Sequence, residues 1–158
     1  MSSIALDASE RRRAGASAGL ASQLRSDPAC QAFWLLRIVF TVAPILFGAD
    51  KFANLLVNWE KYLAPWVRNI SPLSPTHTMH VVGIIEIVAG VAVALKPRYA
   101  AYIVAAWLGG IIIDLLSYSG YYDVALRDFG LFLAALTLAR LASKYDSPGL
   151  RPGLQRAQ

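Results

Sequence analysis

The sequence predicts an all-α integral membrane protein, a four-helix transmembrane bundle with an extended outer loop between helices 1 and 2. The first observation is composition: of 158 residues, 56% are hydrophobic and 16% are charged, unlike a soluble domain of this length. The second is the length of four apolar segments, each able to cross a bilayer core of roughly 30 Å as a helix. The predicted spans cover residues 33–49, 79–95, 99–116 and 124–142 of a membrane domain that extends from 30 to 143.

Both ends of the chain lie outside the spans. Residues 1–29 are rich in Ala, Ser, Gly and Arg and lack the sustained apolar core of a secretory signal, so we interpret them as a disordered cytoplasmic tail. A mitochondrial targeting peptide is the competing interpretation, although Asp7, Glu10 and Asp27 make the segment more acidic than such peptides. Residues 144–158 are predicted to form a second cytoplasmic tail.

The loop between the first two spans, residues 52–78, is long and rich in tryptophan. Trp59, Tyr62 and Trp66 recur at a three- and four-residue spacing, which favours a helix lying in the membrane interface. These side chains can be interface anchors, or they can cover a lipid-like or quinone ring.

The distribution of basic residues predicts the orientation. The connections at 96–98 and 117–122 are short hairpins, so neighbouring helices are antiparallel and both termini lie on one side. Most Lys and Arg residues lie in the tails and at 96–98, and the positive-inside rule therefore places both termini in the cytoplasm. The net charge of +5 reflects this topology rather than a basic patch, and no nucleic-acid partner is expected.

Charged residues at membrane depth are the candidate functional residues. Glu86 is the one ionisable residue of the apolar run 81–95 and lies close to the predicted bilayer midplane. Antiparallel threading brings most other charges to the outer half of the bundle, whereas Arg37 lies toward the inner side, where it can reach lipid phosphates. The predicted buried polar cluster consists of Arg37, Asp50, Lys51, Glu86, Asp114 and Arg127.

Helical phase predicts which faces of the spans point inward. Residues three, four or seven apart share a helix face, and small residues allow helices to approach closely in lipid. In three spans an ionisable residue shares its face with small residues, so we expect these faces to point into the bundle. The three stripes are Gly83, Glu86 and Gly90; Ala106, Gly110 and Asp114; and Arg127, Gly130 and Ala134.

Two interpretations of the cluster remain open. Its charges can form structural ion pairs that fix the helix register, or Glu86 can titrate and take part in proton, quinol or solute handling. The chain has no nucleophile elbow and no phosphate-binding loop, so no self-contained catalytic site is predicted. His77-x-x-His80 is a poor metal site without a nearby cysteine, and no metal is expected. The candidate ligand contacts are Trp59, Tyr62, Trp66 and His80.

Short motifs in the first two spans resemble the DoxX-like family of small four-helix bacterial inner-membrane proteins. They are Arg37, Gly48-x-x-Lys51 and Gly83-x-x-Glu86-x-x-x-Gly90, followed by two apolar spans joined by a short hairpin. The resemblance implies a multi-pass protein of the bacterial inner membrane. Because the family is named for a membrane subunit of a sulfur-oxidising, quinone-reducing complex, it also implies an association with quinone and singles out Arg37, Lys51 and Glu86.

The sequence therefore leaves three functions open. The first is a DoxX-like accessory or quinone-associated subunit of a redox-linked membrane assembly, with quinone as the candidate cofactor. The second is a small proton-coupled transporter that uses Glu86 and encloses its path as a homo-oligomer. The third is a structural membrane scaffold. In each case the lipid bilayer is the first partner.

Overall fold

The structure, a computed structural model, describes residues 26–146 together with Gly19, Ser22 and Leu24. Over these residues the chain is helical and contains no β-strand, which confirms the all-α prediction. Most of the two predicted tails, at 1–18 and 147–158, lies outside the described residues. The elements are α1 (Pro28–Ala53), a 3-10 turn (Trp59–Tyr62), α2 (Pro65–Ile70), α3 (Pro75–Leu95), α4 (Pro97–Leu116) and α5 (Tyr122–Tyr145).

Proline and capping side chains mark where the helices begin. The first turns of α1, α2, α3 and α4 each contain a proline. Proline has no backbone N–H group, and in the first turn this costs no hydrogen bond because N–H groups there have no acceptor within the helix. The Asp27 carboxylate accepts hydrogen bonds from two backbone N–H groups in the first turn of α1, and the Ser74 hydroxyl accepts one in α3. Both helices extend beyond the predicted spans, so the loop between them is shortened to residues 54–74.

The four long helices form two antiparallel pairs. α1 packs along α3 and α4 packs along α5, while smaller contacts between α1 and α5 and between α3 and α4 close the bundle. We call the end that carries residues 54–74 the loop end. The opposite end, where α1 begins and α5 ends, is the termini end.

The apolar core lies toward the termini end. Phe33, Val93 and Leu138 are almost completely buried there, and they pack with alanines of α4 and α5 that let these two helices approach closely. The buried core residues are Phe33, Phe40, Val93, Ala100, Ala101, Val104, Ala105, Ala135, Leu138, Ala139 and Ala142.

Three of the helices indicate a membrane protein. By length and composition, α1, α3 and α4 are each long and apolar enough to cross a bilayer, and large apolar side chains such as Leu46, Val88 and Ile103 are exposed on their surfaces. α5 is similarly long, but it does not meet the same criterion because it carries more charge. The charged residues of α5 are Asp123, Arg127, Asp128, Arg140 and Lys144.

Candidate functional site

Lys51 of α1 and Glu86 of α3 form an ion pair inside the bundle. The Lys51 Nζ lies 2.6 Å from Glu86 Oε2, and the two side chains are only 4% and 14% exposed. A hydrogen-bonded pair of opposite charges is the form in which ionised groups are tolerated at low dielectric. Both residues belong to the predicted polar cluster, and the structure brings them into direct contact.

Two glycines one turn away explain why these side chains meet. A Cβ atom added to Gly48 would lie 2.5 Å from the Gly83 carbonyl oxygen, and one added to Gly83 would lie 2.6 Å from the Gly48 carbonyl oxygen. The backbones of α1 and α3 therefore touch at this point, which only glycine permits. Because α1 and α3 are antiparallel, the residues three beyond these two glycines lie on opposite sides of the contact along the helix axes. The Lys51 side chain starts beside Gly83, whose added Cβ would lie 3.2 Å from the Lys51 Cβ, and it extends along α3 to reach Glu86 on the next turn.

The indole of Trp59 covers this ion pair. The Lys51 Nζ lies 3.7 Å from the centroid of the Trp59 ring, close enough for a cation–π interaction. The edge of Phe47 packs against the same indole at a centroid distance of 6.0 Å. An aromatic side chain of the predicted interface loop is thus folded back over a buried charge.

Asp50 holds Trp59 in this position. Its Oδ2 accepts a hydrogen bond of 2.7 Å from Trp59 Nε1, and its Oδ1 accepts bonds from the backbone N–H groups of Leu55 and Leu56. Asn54, in the left-handed conformation with a φ of 50°, ends α1 and turns the chain back. Asp50 therefore positions the cover over the neighbouring Lys51 and is bonded to the loop rather than to Glu86.

The structure places Asp128, and not Arg127, inside the bundle. The Arg127 side chain is 70% exposed and its Nε lies 3.7 Å from Asp128 Oδ1, whereas the Asp128 side chain is only 13% exposed. The prediction that Arg127 belongs to the buried cluster is therefore wrong. Asp128 lies within Coulombic range of Glu86, so it is a second acid near the ion pair. Asp128 shares a helix face with Ala125, three residues before it, and with Ala135, seven residues after it. Both alanines are buried, so the small residues on this face are the sequence feature that indicates a buried Asp128.

The glycine stripes of α4 and α5 also differ from the prediction. A Cβ at Gly110 or at Gly130 would meet only open space, so these faces point outward. In α3, by contrast, Gly90 packs against α1, where its added Cβ would lie 2.6 Å from the Thr41 carbonyl oxygen. Helical phase places residues on one face, but it does not say which face finds a partner helix.

Asp114 lies at the loop end of α4, apart from the ion pair. Its Oδ1 and the Tyr118 hydroxyl are buried without a hydrogen-bond partner among the described residues. Burial raises the pKa of Tyr118 to about 12, and the negative charge of Asp114 acts in the same direction. The Asp114 carboxylate accepts a backbone hydrogen bond from Ala64 and acts on Tyr118 only through its charge, so it belongs to the contact between the loop and the turn after α4 and is separate from Lys51.

A row of aromatic rings connects these two places. From Trp59 the row passes to Tyr62, then to Tyr121 and to Tyr118, with successive centroid distances of 6.0, 5.2 and 5.1 Å. Trp66 lies outside this row, because its Nε1 donates to the Ser117 hydroxyl and anchors α2 on the turn after α4. Tyr62 thus packs between Trp59 and the turn after α4, while Trp66 is an anchor.

The histidines make local contacts. His80 stacks on Phe52 with a centroid distance of 4.8 Å, and His77 Nδ1 lies 2.8 Å from the Ser74 hydroxyl. Within the described part of the chain, no three His, Cys, Asp or Glu side chains are grouped so that they could hold a metal ion. His80 therefore lies beside the α1–α3 contact as an aromatic neighbour.

Arg37 lies far from the Lys51–Glu86 pair, at the termini end of α1. Fourteen residues separate it from Lys51, or roughly 21 Å along a helix. The Arg37 Nη2 donates to the Ala94 carbonyl oxygen at 2.6 Å, and Nη1 lies 3.5 Å from Asp146 Oδ1. Arg37 thus binds a carbonyl group left free at the end of α3, and it is not part of the polar cluster at the loop end.

Comparison of the chain with protein-family models, curated proteins and solved structures finds no match. The DoxX-like resemblance therefore stays a prediction from the motifs. The site itself offers the buried ammonium group of Lys51, the Glu86 carboxylate paired with it, the buried acids Asp50 and Asp128, and the aromatic cover of Trp59.

Proposed function

We propose that the protein is a DoxX-like, four-span protein of the bacterial inner membrane and acts as a quinone-associated accessory subunit of a redox-linked assembly. Its quinone contact is the Lys51–Glu86 pair beneath Trp59. The observation that carries this proposal is the burial of this ion pair under an aromatic ring, at the end of the bundle that holds the loop.

α5 supplies the fourth span in this proposal. It packs along α4, and its side chains Leu126, Phe129 and Leu133 are exposed. Its acid Asp128 points inward, where a charge in a membrane helix belongs. With four spans, the positive-inside rule places both termini in the cytoplasm and the loop end outside.

The chemistry of the site suits a quinone headgroup. A quinone ring is planar and carries two carbonyl acceptors, so it needs an aromatic surface and a hydrogen-bond donor. Trp59 offers the surface, and the ammonium group of Lys51 has three N–H donors, so a bond to Glu86 leaves it able to donate to a carbonyl. Because Trp59 sits on a loop segment tethered through Asp50, a small movement of this segment would admit the ring.

A binding measurement tests this function. The protein is reconstituted in nanodiscs, and a short-chain ubiquinone analogue is titrated while tryptophan fluorescence is recorded. We expect saturable quenching that Trp59→Leu removes and that Lys51→Arg weakens roughly tenfold, since the donor geometry changes. Arg127→Gln, at the exposed neighbour of Asp128, is the matched control and should bind like the wild type. Equal, non-saturable quenching in all variants would count against a quinone site.

A second candidate function is proton-coupled transport with Glu86 as the titrating group. The observation that favours it is Asp128, a buried acid that lies near Glu86 but, unlike Asp50, is not bonded to the loop backbone. Asp128 thus adds a second acid to the Lys51–Glu86 pair, and Lys51 is the only buried lysine among the described residues. In this case proteoliposomes should show a proton flux that Glu86→Gln and Asp128→Asn both remove, without saturable quinone quenching. If neither flux nor quinone binding is found in folded protein, the remaining function is a structural scaffold.

A further inference from the structure

A shallow groove opens on the outer surface of the bundle at the termini end. Its volume is about 270 Å³, and its walls come from α1 and from the last turn of α3. It is open along one side and smaller than the closed pockets of drug-sized ligands, which occupy roughly 300–1,000 Å³. The lining residues are Trp34, Arg37, Ile38, Thr41, Val42 and Ala94.

Arg37 is the one charged residue in this lining, and its guanidinium group is held in place. The group lies over the Trp34 ring at 5.1 Å and is bonded to the Ala94 carbonyl oxygen. A guanidinium group has five N–H donors, so its contacts with Ala94 and Asp146 leave donors for a further partner. The arginine side chain is 20% exposed, which keeps it accessible from the groove.

The charge around the groove favours an anionic partner. Asp27, the acid at the start of α1, is already bonded to the Tyr145 hydroxyl at 2.7 Å and lies 4.0 Å from Lys144 Nζ. Asp146 makes only a long contact with Arg37. The basic residues at this end outnumber these acids; they are Arg37, Lys96, Arg98, Arg140 and Lys144.

We propose that this groove binds an anionic phospholipid, with one acyl chain along the apolar wall and the phosphate on Arg37. The apolar side chains Ile38 and Val42 follow Arg37 toward the membrane centre, as an acyl chain does below its phosphate. Arginine matches the geometry of a phosphate through two parallel hydrogen bonds. The site is distinct from the Lys51–Glu86 pair and does not depend on the proposed quinone contact.

The test is a lipid titration of the delipidated full-length protein, followed by native mass spectrometry. Phosphatidylglycerol should bind at least roughly tenfold more tightly than phosphatidylcholine, and Arg37→Gln should remove this preference because it loses the charged hydrogen bonds. Arg98→Gln, at an exposed cation of the same end, is the matched control and should keep the preference. Inorganic phosphate should not compete at the same concentration, because it leaves the apolar wall empty.

A second variant keeps the charge and blocks the groove. Val42→Trp fills the apolar wall and should weaken phosphatidylglycerol binding while Arg37 stays intact. Should Arg37→Gln fail to fold, two single variants that keep the positive charge replace it. Arg37→Lys loses the two parallel hydrogen bonds to phosphate and Val42→Trp fills the apolar wall, so each should weaken phosphatidylglycerol binding. The proposal is overturned if Arg98→Gln and Arg37→Gln lose the preference equally, if Val42→Trp binds like the wild type, or if inorganic phosphate competes.

Discussion

The two ends of the bundle are stabilised by different kinds of contact. At the termini end, apolar side chains such as Phe33, Val93 and Leu138 fill the space between the helices. At the loop end the buried groups include an ion pair, Lys51 and Glu86, and the acid Asp128. A buried ion pair is often no more stabilising than well-packed apolar residues of the same volume. The charges at the loop end are therefore poorly explained by stability alone, and this is the reason for assigning function to that end.

The largest effect is expected from removing one partner of the ion pair. Lys51→Met leaves the Glu86 carboxylate buried without its cation, which should cost about 3–5 kcal/mol of unfolding free energy. The double variant Lys51→Met with Glu86→Leu should recover most of this loss, but not quinone binding. Unfolding in mixed detergent micelles measures the free energy of unfolding, and fluorescence quenching measures quinone binding. If Lys51→Met were as stable as the wild type, the ion pair would not be buried at low dielectric.

An apolar truncation at the termini end should separate stability from function. Leu138→Ala creates a cavity in the core and should cost about 2 kcal/mol or more. Because Leu138 lies in the apolar core near the termini, quinone binding per folded molecule should be unchanged. If Leu138→Ala weakened binding as strongly as Trp59→Leu, the two ends would not have separate roles.

The glycine contact between α1 and α3 can be compared with an exposed glycine of α4. Gly83→Ala would force its Cβ against the Gly48 carbonyl oxygen, and overpacking of this kind costs about 1–3 kcal/mol. Gly110→Ala meets open space and should be neutral or slightly stabilising, since alanine favours the helix. Equal stabilities of the two variants, measured by thermal unfolding, would contradict the close backbone contact.

The smallest effect is expected for the hydrogen bond that ties α5 to the start of α1. The Tyr145 hydroxyl donates to Asp27 and, with two backbone N–H groups, holds the pKa of this carboxyl below its usual range. A lowered pKa stabilises the fold above about pH 4 and ceases to do so as the pH falls through the folded-state value. Tyr145→Phe should therefore melt slightly earlier than the wild type at pH 7, and the difference should shrink as the pH falls below about 4 through the folded-state pKa of Asp27.

The sequence was a good guide to the helices and to the central contact. Apolar length predicted where the long helices lie, and the two motifs with glycine three residues before Lys51 and Glu86 lie at the helix contact that joins these side chains. The positions of the long helices and the glycine contact between α1 and α3 both depend on local chemistry and helical geometry, and these can be recognised from residue spacing alone.

What the sequence could not show was the choice between competing faces. Arg127 and Asp128 are neighbours, and only the packing of α5 on the other helices decides that the acid is buried and the arginine exposed. The cover is a similar case, since Trp59 and Trp66 have the same spacing signal, but only Trp59 bonds to Asp50 and lies over Lys51. Neither choice follows from a local spacing pattern, because each depends on how the helices and the loop pack in the folded chain.

The most direct test of the central claim is photolabelling with an azido-quinone in the native membrane, followed by peptide mapping. We expect the label to fall on the loop end, in the segments around Trp59 and Glu86, and excess unlabelled quinone to prevent the reaction. A label spread evenly over the lipid-facing residues, or concentrated at the termini end, would contradict it.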